Sequence, residues 1–230
     1  MRVVTWNVRH GRPRRGFTSN RRLAATVAHL DADVFAVQEV DRRVIRSWFA
    51  DQPALVASAA RATTSDYAPA RRLAITGDDG VALSVRGEAT FRRLRLPHRW
   101  GQPRVALIGT TSDATFVTTH LQNHADEARY QLDWLLEELA TLPRPCVLLG
   151  DLNLRAEDVA DRLGAAGFEL AGGGPTEPAW DPRQRIDHVA VAGFAIGAIS
   201  IVEAPVSDHR PLLEELTNSA DAPDRRAPSH

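Results

Sequence analysis

The sequence contains no lysine; all 28 of its basic residues are arginine. A GC-rich codon bias is the plain explanation, but the chemistry follows regardless. Every cation in the chain can grip a phosphate or carboxylate through two parallel hydrogen bonds. Cysteine is nearly absent too. Cys146 stands alone, which excludes an intramolecular disulfide and any cysteine-cluster metal site, and its place in the run Cys146-Val147-Leu148-Leu149 marks it as a buried inert thiol. No apolar stretch approaches the ~20 residues that a spanning helix needs. The start, Met1-Arg2-Val3-Val4-Thr5-Trp6-Asn7, has no signal-peptide apolar core, so a cytoplasmic location is the default expectation. Net charge is -1, which leaves no bulk attraction for polyanions. At 230 residues with 43% hydrophobic side chains, the chain can build a core without a disulfide or metal staple.

Hydrophobic patterning predicts a mixture of strands and helices. Residues 3–8 are β-rich, and 9–16 form a Gly/Pro/Arg loop. Ser19 is placed to cap a helix reaching about Leu30, with Leu23, Val27 and Leu30 on one face. Residues 33–40 read as a buried strand, and a helix is expected between 42 and 60. Strand then follows strand at 73–75, 81–85, 90–94, 105–108 and 115–119. Residues 126–142 predict an amphipathic helix, with Tyr130, Trp134, Leu135 and Leu139 at helical spacing and Pro143 as its stop. A buried strand is expected at 146–149 and a helix at 156–166, ended by Gly167. Strands at 186–191, 195–202 and 212–216 follow, and residues 218–230 read as a polar, Pro-rich, disordered tail. The order implies one α/β (α+β) domain over 1–217, with mainly antiparallel sheets and no internal repeat.

Six places put a metal or phosphate ligand at a strand's end: Asn7, Glu39, His120, the pair Asp151 and Asn153, Asp187, and the pair Asp208 and His209. Strand-end ligands can converge on one rim when strands stack in register. A hard divalent cation wants several rigidly held carboxylate and amide oxygens, and phosphate ester hydrolysis adds a base and donors for developing charge. Taken singly, each has a bland reading. Gly150-Asp151-Leu152-Asn153 passes as a turn, Ser207-Asp208-His209 as a cap, and His120 as a satisfied core histidine.

In order and in context they say more. Thr5-Trp6-Asn7, Gln38-Glu39-Val40-Asp41, Gly80-Val81-Ala82-Leu83-Ser84, Thr119-His120-Leu121, Gly150-Asp151-Leu152-Asn153, Arg185-Ile186-Asp187-His188 and Ser207-Asp208-His209-Arg210-Pro211 resemble the motif series of the endonuclease/exonuclease/phosphatase superfamily, from residue 3 to about 216. The resemblance implies a DNase-I-like four-layer sandwich, with two stacked sheets flanked by helices. It implies that Asn7 and Glu39 hold the metal, Glu39 chief among them, with Asp208 on the metal side. It implies that Asp151 and Asn153 position the attacking water and bind phosphate or a second metal. It implies too that His209, oriented by Asp187, acts as base or charge stabiliser, and that His120 meets a phosphate oxygen or the leaving group. Which of Asp151 and His209 takes the proton stays open. The donors are oxygens, without a cysteine cluster or a close histidine pair, which favours Mg²⁺ or Mn²⁺ over Zn²⁺.

This chain departs from the family's pattern in three places. Val81 follows Gly80 where nuclease members carry Asn, His188 follows Asp187 where Tyr is frequent, and Glu177 replaces an aromatic in Gly174-Pro175-Thr176-Glu177-Pro178-Ala179-Trp180. The expected activity is hydrolysis of a phosphomonoester or phosphodiester by a monomer. The alternatives are a nuclease or abasic-site repair enzyme of the same superfamily, a membrane-lipid phosphodiesterase, for which no amphipathic membrane-binding helix or anchor is evident, and a binding protein that has lost catalysis. Arg9, Arg12, Arg14 and Arg15 follow Asn7 and are candidates to line a nucleic-acid site. No long basic, aromatic-interleaved segment supports one.

Overall fold

A computed structural model describes residues 1–73 and 77–219. In chain order the elements are β1 (Arg2–Asn7), α1 (Asn20–Leu30), β2 (Val34–Arg42), α2 (Gln52–Ala59), β3 (Thr64–Leu73), β4 (Gly77–Val85), β5 (Thr90–Arg95), β6 (Val105–Thr110), β7 (Thr115–His120), α3 (Ala125–Leu139), β8 (Cys146–Asp151), α4 (Ala156–Ala165), β9 (Glu169–Leu170), β10 (Asp187–Ala192), β11 (Phe194–Ile201) and β12 (Leu212–Asn218). The strands form two six-stranded sheets, ordered β11-β12-β1-β2-β4-β3 and β5-β6-β7-β8-β10-β9. Each sheet has one parallel pair near its centre, β1 with β2 and β7 with β8, and is antiparallel elsewhere.

The layers follow from side-chain alternation, which sends neighbouring residues of a strand to opposite faces. Val3, Ala36 and Leu83 of the first sheet meet Leu107, Phe116, Val147, Leu149 and Val189 of the second in a core between the sheets. Val4, Trp6, Phe35 and Val37 face the other way, under α1 and α2. Ile108, Val117 and Leu148 lie under α3 and α4, packed on Leu132, Leu135, Val159 and Leu163. Two sheets back to back with helices outside both make the expected four-layer sandwich. Cys146 is fully buried under those outer helices, and burial pushes its thiol up to about 12.

Local differences from the sequence reading have physical causes. The helix expected from 42 is shortened to α2, because β2 runs on to Arg42 and a tight loop follows, with Arg43, Trp48 and Phe49 in left-handed backbone conformations. Ser19 does cap α1, accepting from the Arg22 N–H, and Asp51 caps α2 by accepting from Ala54. β3 was not expected as a ten-residue strand. It carries Pro69, and a proline is tolerated there because β3 is the sheet's edge and bulges between Pro69 and Arg71. The predicted strand at 73–75 and the tail at 218–230 lie largely outside the described residues.

Candidate active site

Alternation alone aims four of the expected residues into the gap between the sheets. Asn7 shares parity with Val3, His120 with Phe116, Asp151 with Val147 and Leu149, and Asp187 with Val189 and Val191. In the second sheet His120, Asp151 and Asp187 form one rung, since Asp151 is the register partner of both others. Gly150 lets β7 come this close: a Cβ there would lie 2.3 Å from the Thr119 carbonyl oxygen. Glu39 reaches the same gap by a different device. Gln38 pairs with Val81 and Val40 with Gly80, so Glu39 is an extra residue in a bulge, with φ 54. Unbroken alternation would send it outward, and the bulge turns it towards the cleft.

The groups meet across the two sheets. The Asn7 amide nitrogen donates to Glu39 Oε1 at 3.2 Å and to Asp151 Oδ2 at 2.9 Å. Its own oxygen accepts from the Arg9 backbone N–H at 3.0 Å. In this geometry Asn7 ties two carboxylates together and turns its oxygen away from them. Asp151 Oδ1 accepts from the Asn153 N–H, and the Asn153 amide donates to the Leu121 carbonyl. His209 Nδ1 lies 2.8 Å from Asp187 Oδ2, which also accepts from the Thr176 hydroxyl at 2.6 Å. The His209 backbone is pinned on both sides, its carbonyl by Trp6 Nε1 and its N–H by Ser207 Oγ. On the far edge of the imidazole, Nε2 lies 3.8 Å from Asp151, and His120 Nε2 approaches the same carboxylate at 3.5 Å.

Asn7, Glu39, His120, Asp151, Asn153 and His209 line one cleft of about 250 Å³, together with Arg71, Asp79, Gln102, Arg104 and Asn123, while Asp187 lies behind His209, outside the lining. Asp208 is not among the lining residues; it pairs with Arg9 at 3.1 Å. None of Arg9, Arg12, Arg14 or Arg15 lines the cleft. The cations that do, Arg71 and Arg104, went unremarked in the sequence, where nothing singles out two arginines among 28. Arg71 is held by Asp79 through Nε and a terminal nitrogen at 2.8–2.9 Å. Arg104 makes no ion pair among the described residues, and its Nε is buried without a partner. Thr176 was also missed as an anchor for Asp187, although its loop stood out. His188, by contrast, turns out of the site, with Nε2 on the Leu154 carbonyl.

Electrostatics separate the titratable groups. Burial opposes a charge on His209, but the Asp187 and Asp151 carboxylates outweigh it and hold the imidazole in its protonated form, well above its usual range. Burial raises Asp151, with His209 pulling the other way. His120 is held well below the usual imidazole range by burial and by the nearby Arg104, so it is neutral. Asp151, Asp187 and His209 lie close enough together to suggest a metal cluster. Since His209 Nδ1 is already committed to Asp187, the trio is better suited to holding a proton.

This geometry can be set beside known proteins. No curated protein matches the chain. Among solved structures, an endonuclease/exonuclease/phosphatase from Beutenbergia cavernae DSM 12333 is similar at TM-score 0.79 and 21% identity, over 94% of this chain and 71% of that one. The human Nocturnin catalytic domain with bound sulfate is similar at TM-score 0.74 and 16% identity, over 95% and 94%. A mannosyl-6-phosphatase from Bacteroides thetaiotaomicron VPI-5482 is similar at TM-score 0.70 and 18% identity, over 94% and 99%. At these identities the structures speak for the fold. The sequence itself matches the Endonuclease/Exonuclease/phosphatase family over residues 4–209, and the chain belongs to that family.

Proposed function

We propose that this chain hydrolyses phosphate esters with the help of Mg²⁺ or Mn²⁺. The observation that carries the reading is the meeting of Glu39, Asp151 and the Asp187-anchored His209 in one cleft that Arg71 and Arg104 also line. The residues fit a hard divalent cation. Two carboxylates converge on a single amide nitrogen, and no arginine pairs with Glu39 among the described residues. Glu39 and Asp151 are the residues that would hold the ion, with the Asn153 amide beside them. Once bound, such an ion supplies charge against the phosphoryl oxygens and acidifies water.

The chain's own groups have separable roles. Asp187 and Thr176 fix the His209 ring so that its Nε2 proton points into the cleft, where it can be donated to a phosphoryl oxygen as negative charge develops. Asp151, raised by burial and still ionisable, is suited to take a proton from the attacking water. Arg104 and the unshared face of Arg71 grip phosphate oxygens on the wall where Val81 offers no donor. Neutral His120 can hydrogen-bond a phosphate oxygen or the leaving group.

The test is a substrate panel with Mg²⁺, with Mn²⁺ and with EDTA. It would hold p-nitrophenyl phosphate, bis-p-nitrophenyl phosphate, sugar phosphates, an abasic oligonucleotide and plasmid DNA. Metal-dependent hydrolysis that Asp151→Asn abolishes is the expected result. Hydrolysis untouched by chelation overturns the metal, and no hydrolysis of any member returns the chain to the binding proteins. Efficient nicking of plasmid with poor turnover of small esters would establish the nuclease alternative.

A further inference from the structure

The four most exposed large hydrophobic residues among those described are Phe17, Ile45, Trp48 and Phe49, at 82%, 71%, 64% and 58% exposure. All four sit on two neighbouring loops, one after β1 and one after β2. The loops touch at their tips: the Phe17 and Trp48 rings stand edge to face with centroids 6.3 Å apart, and Trp48 Nε1 donates to the Thr18 carbonyl. We propose that these two loops form a face that docks the protein onto an anionic phospholipid bilayer. What docking offers the cleft, a phosphoester headgroup, rests on the hydrolase reading above; the docking itself does not.

Exposure of this kind is costly in water, and the loop is built to hold it. Trp48 and Phe49 keep left-handed backbone conformations, φ 60 and 55. The Arg43 N–H donates to Ala50 O at 2.9 Å, Phe49 N–H to Val44 O at 2.9 Å, and Asn20 Nδ2 to Ser47 O at 3.0 Å. The backbone's polar groups are largely satisfied within the loop, so its tip can enter a poorly hydrated layer without stranding donors. Trp and Phe beside arginine is the composition that settles at a membrane interface.

Charge names the kind of surface. Residues 8–22 hold six arginines and no acid, and 43–50 hold two more and no acid, in a chain whose net charge is only -1. Arg9 and Arg46 are spent on Asp208 and Asp41, and Arg14 stacks on Trp180 at 4.9 Å, but Arg12 and Arg15 are exposed. Such cations are attracted to acidic headgroups within a Debye length. The apolar tips favour a bilayer over a nucleic acid. Ile45, 71% exposed, suits an acyl layer and offers no ring on which a base could stack. The loops also leave the ends of β1 and β2 that carry Asn7 and Glu39, so a docked protein turns its cleft to the same side.

Binding is tested by sedimentation with phosphatidylcholine vesicles and with vesicles that also hold phosphatidylserine, in EDTA so that hydrolysis plays no part. The protein should sediment with the mixed vesicles only, and less so as salt rises. Ile45→Ser with Phe49→Ser, and separately Arg12→Glu with Arg15→Glu, should each weaken binding by at least about tenfold. Both double variants should keep the native circular dichroism spectrum and full activity on bis-p-nitrophenyl phosphate. Failure to bind the mixed vesicles, or undiminished binding by the variants, overturns the proposal. So does a dimer in analytical ultracentrifugation that Ile45→Ser with Phe49→Ser dissolves, which would make this a self-association face. An oligonucleotide affinity lost in the same variant, without vesicle binding, would reassign the loops to nucleic acid.

Discussion

His209 Nδ1 stands 2.8 Å from Asp187 Oδ2, and the Thr176 hydroxyl approaches that same oxygen from another direction at 2.6 Å. One carboxylate oxygen therefore sets the tautomer, tilt and charge of the imidazole. Asp187→Asn should lower kcat by roughly two to four orders of magnitude while leaving the fold intact, because an amide can present the wrong hydrogen-bonding partner to Nδ1. The change should also be non-additive. Asp187→Asn with His209→Ala should cost little more than His209→Ala alone, as a double-mutant cycle in kcat/KM would show. Additive losses would mean that the two side chains act separately.

Glu39 owes its direction to a bulge and its charge has no arginine partner among the described residues. Glu39→Gln keeps the shape and removes the charge. It should raise the Mg²⁺ concentration needed for half-maximal activity by about tenfold or more, the scale on which metal sites respond to altered ligand surroundings. EDTA should silence the native enzyme reversibly. Titrations of activity and of metal binding by calorimetry provide the check; an unchanged metal affinity would remove Glu39 from the site.

Arg104 is a half-buried guanidinium with a stranded Nε, and burial pulls its pKa down. An uncompensated buried cation weakens the fold that contains it. Arg104→Leu should therefore leave Tm unchanged or raise it, while lowering kcat/KM on phosphate esters by roughly 10- to 100-fold, in line with about 1.4–3 kcal/mol of lost charge-assisted contact. Thermal melts and kinetics on the same preparation decide the matter. A large loss of stability would show that Arg104 has a structural partner.

Away from the cleft, Glu214 lies in the inter-sheet core across from Val3, fully buried, with neither carboxylate oxygen hydrogen-bonded. Burial pushes it up to about 8 against the attraction of Arg185. A carboxyl raised in the folded state holds a proton that the unfolded chain releases near its ordinary pKa of 4.5. Its contribution is thus full below that value and is lost as pH rises through about 8. The urea midpoint should fall between pH 5 and pH 8, and Glu214→Gln should flatten that slope. An equal slope in the variant would place the dependence elsewhere.

Much of this was legible in the sequence because strand parity is a simple rule. Asn7, His120, Asp151 and Asp187 share parity with clear core residues, so their direction follows from the same pattern that makes the sheets. Glu39 stood out as a carboxylate at the end of an apolar strand and in the motif series, but its direction was not legible, since a bulge leaves no apolar signature. Arg71 and Arg104 were not legible at all: their position depends on how the edge hairpin of β3 and β4 and the start of β6 lean over the cleft. The loop at 43–51 read as helix because its apolar residues suit one, while its tie to Asn20 and its left-handed turns are tertiary facts. Asp208 sits one residue from His209, yet the left-handed turn at Ser207 leaves it outside, on Arg9.

The hydrogen bond from Asn7 to Asp151 joins a residue of one sheet to a residue of the other, and Gln38 reaches Thr118 across the same gap at 3.1 Å. The cleft is thus a seam, and its two sides hold station only while the sheets are seated on each other. Sliding or loosening the interface by a fraction of a residue would separate the carboxylates while every strand stayed paired within its own sheet. On the proposed hydrolase reading, activity would act as a gauge of sheet-to-sheet alignment to which measures of secondary structure are blind. Damage to the greasy layer between the sheets, far from any substrate, would first be felt as lost chemistry.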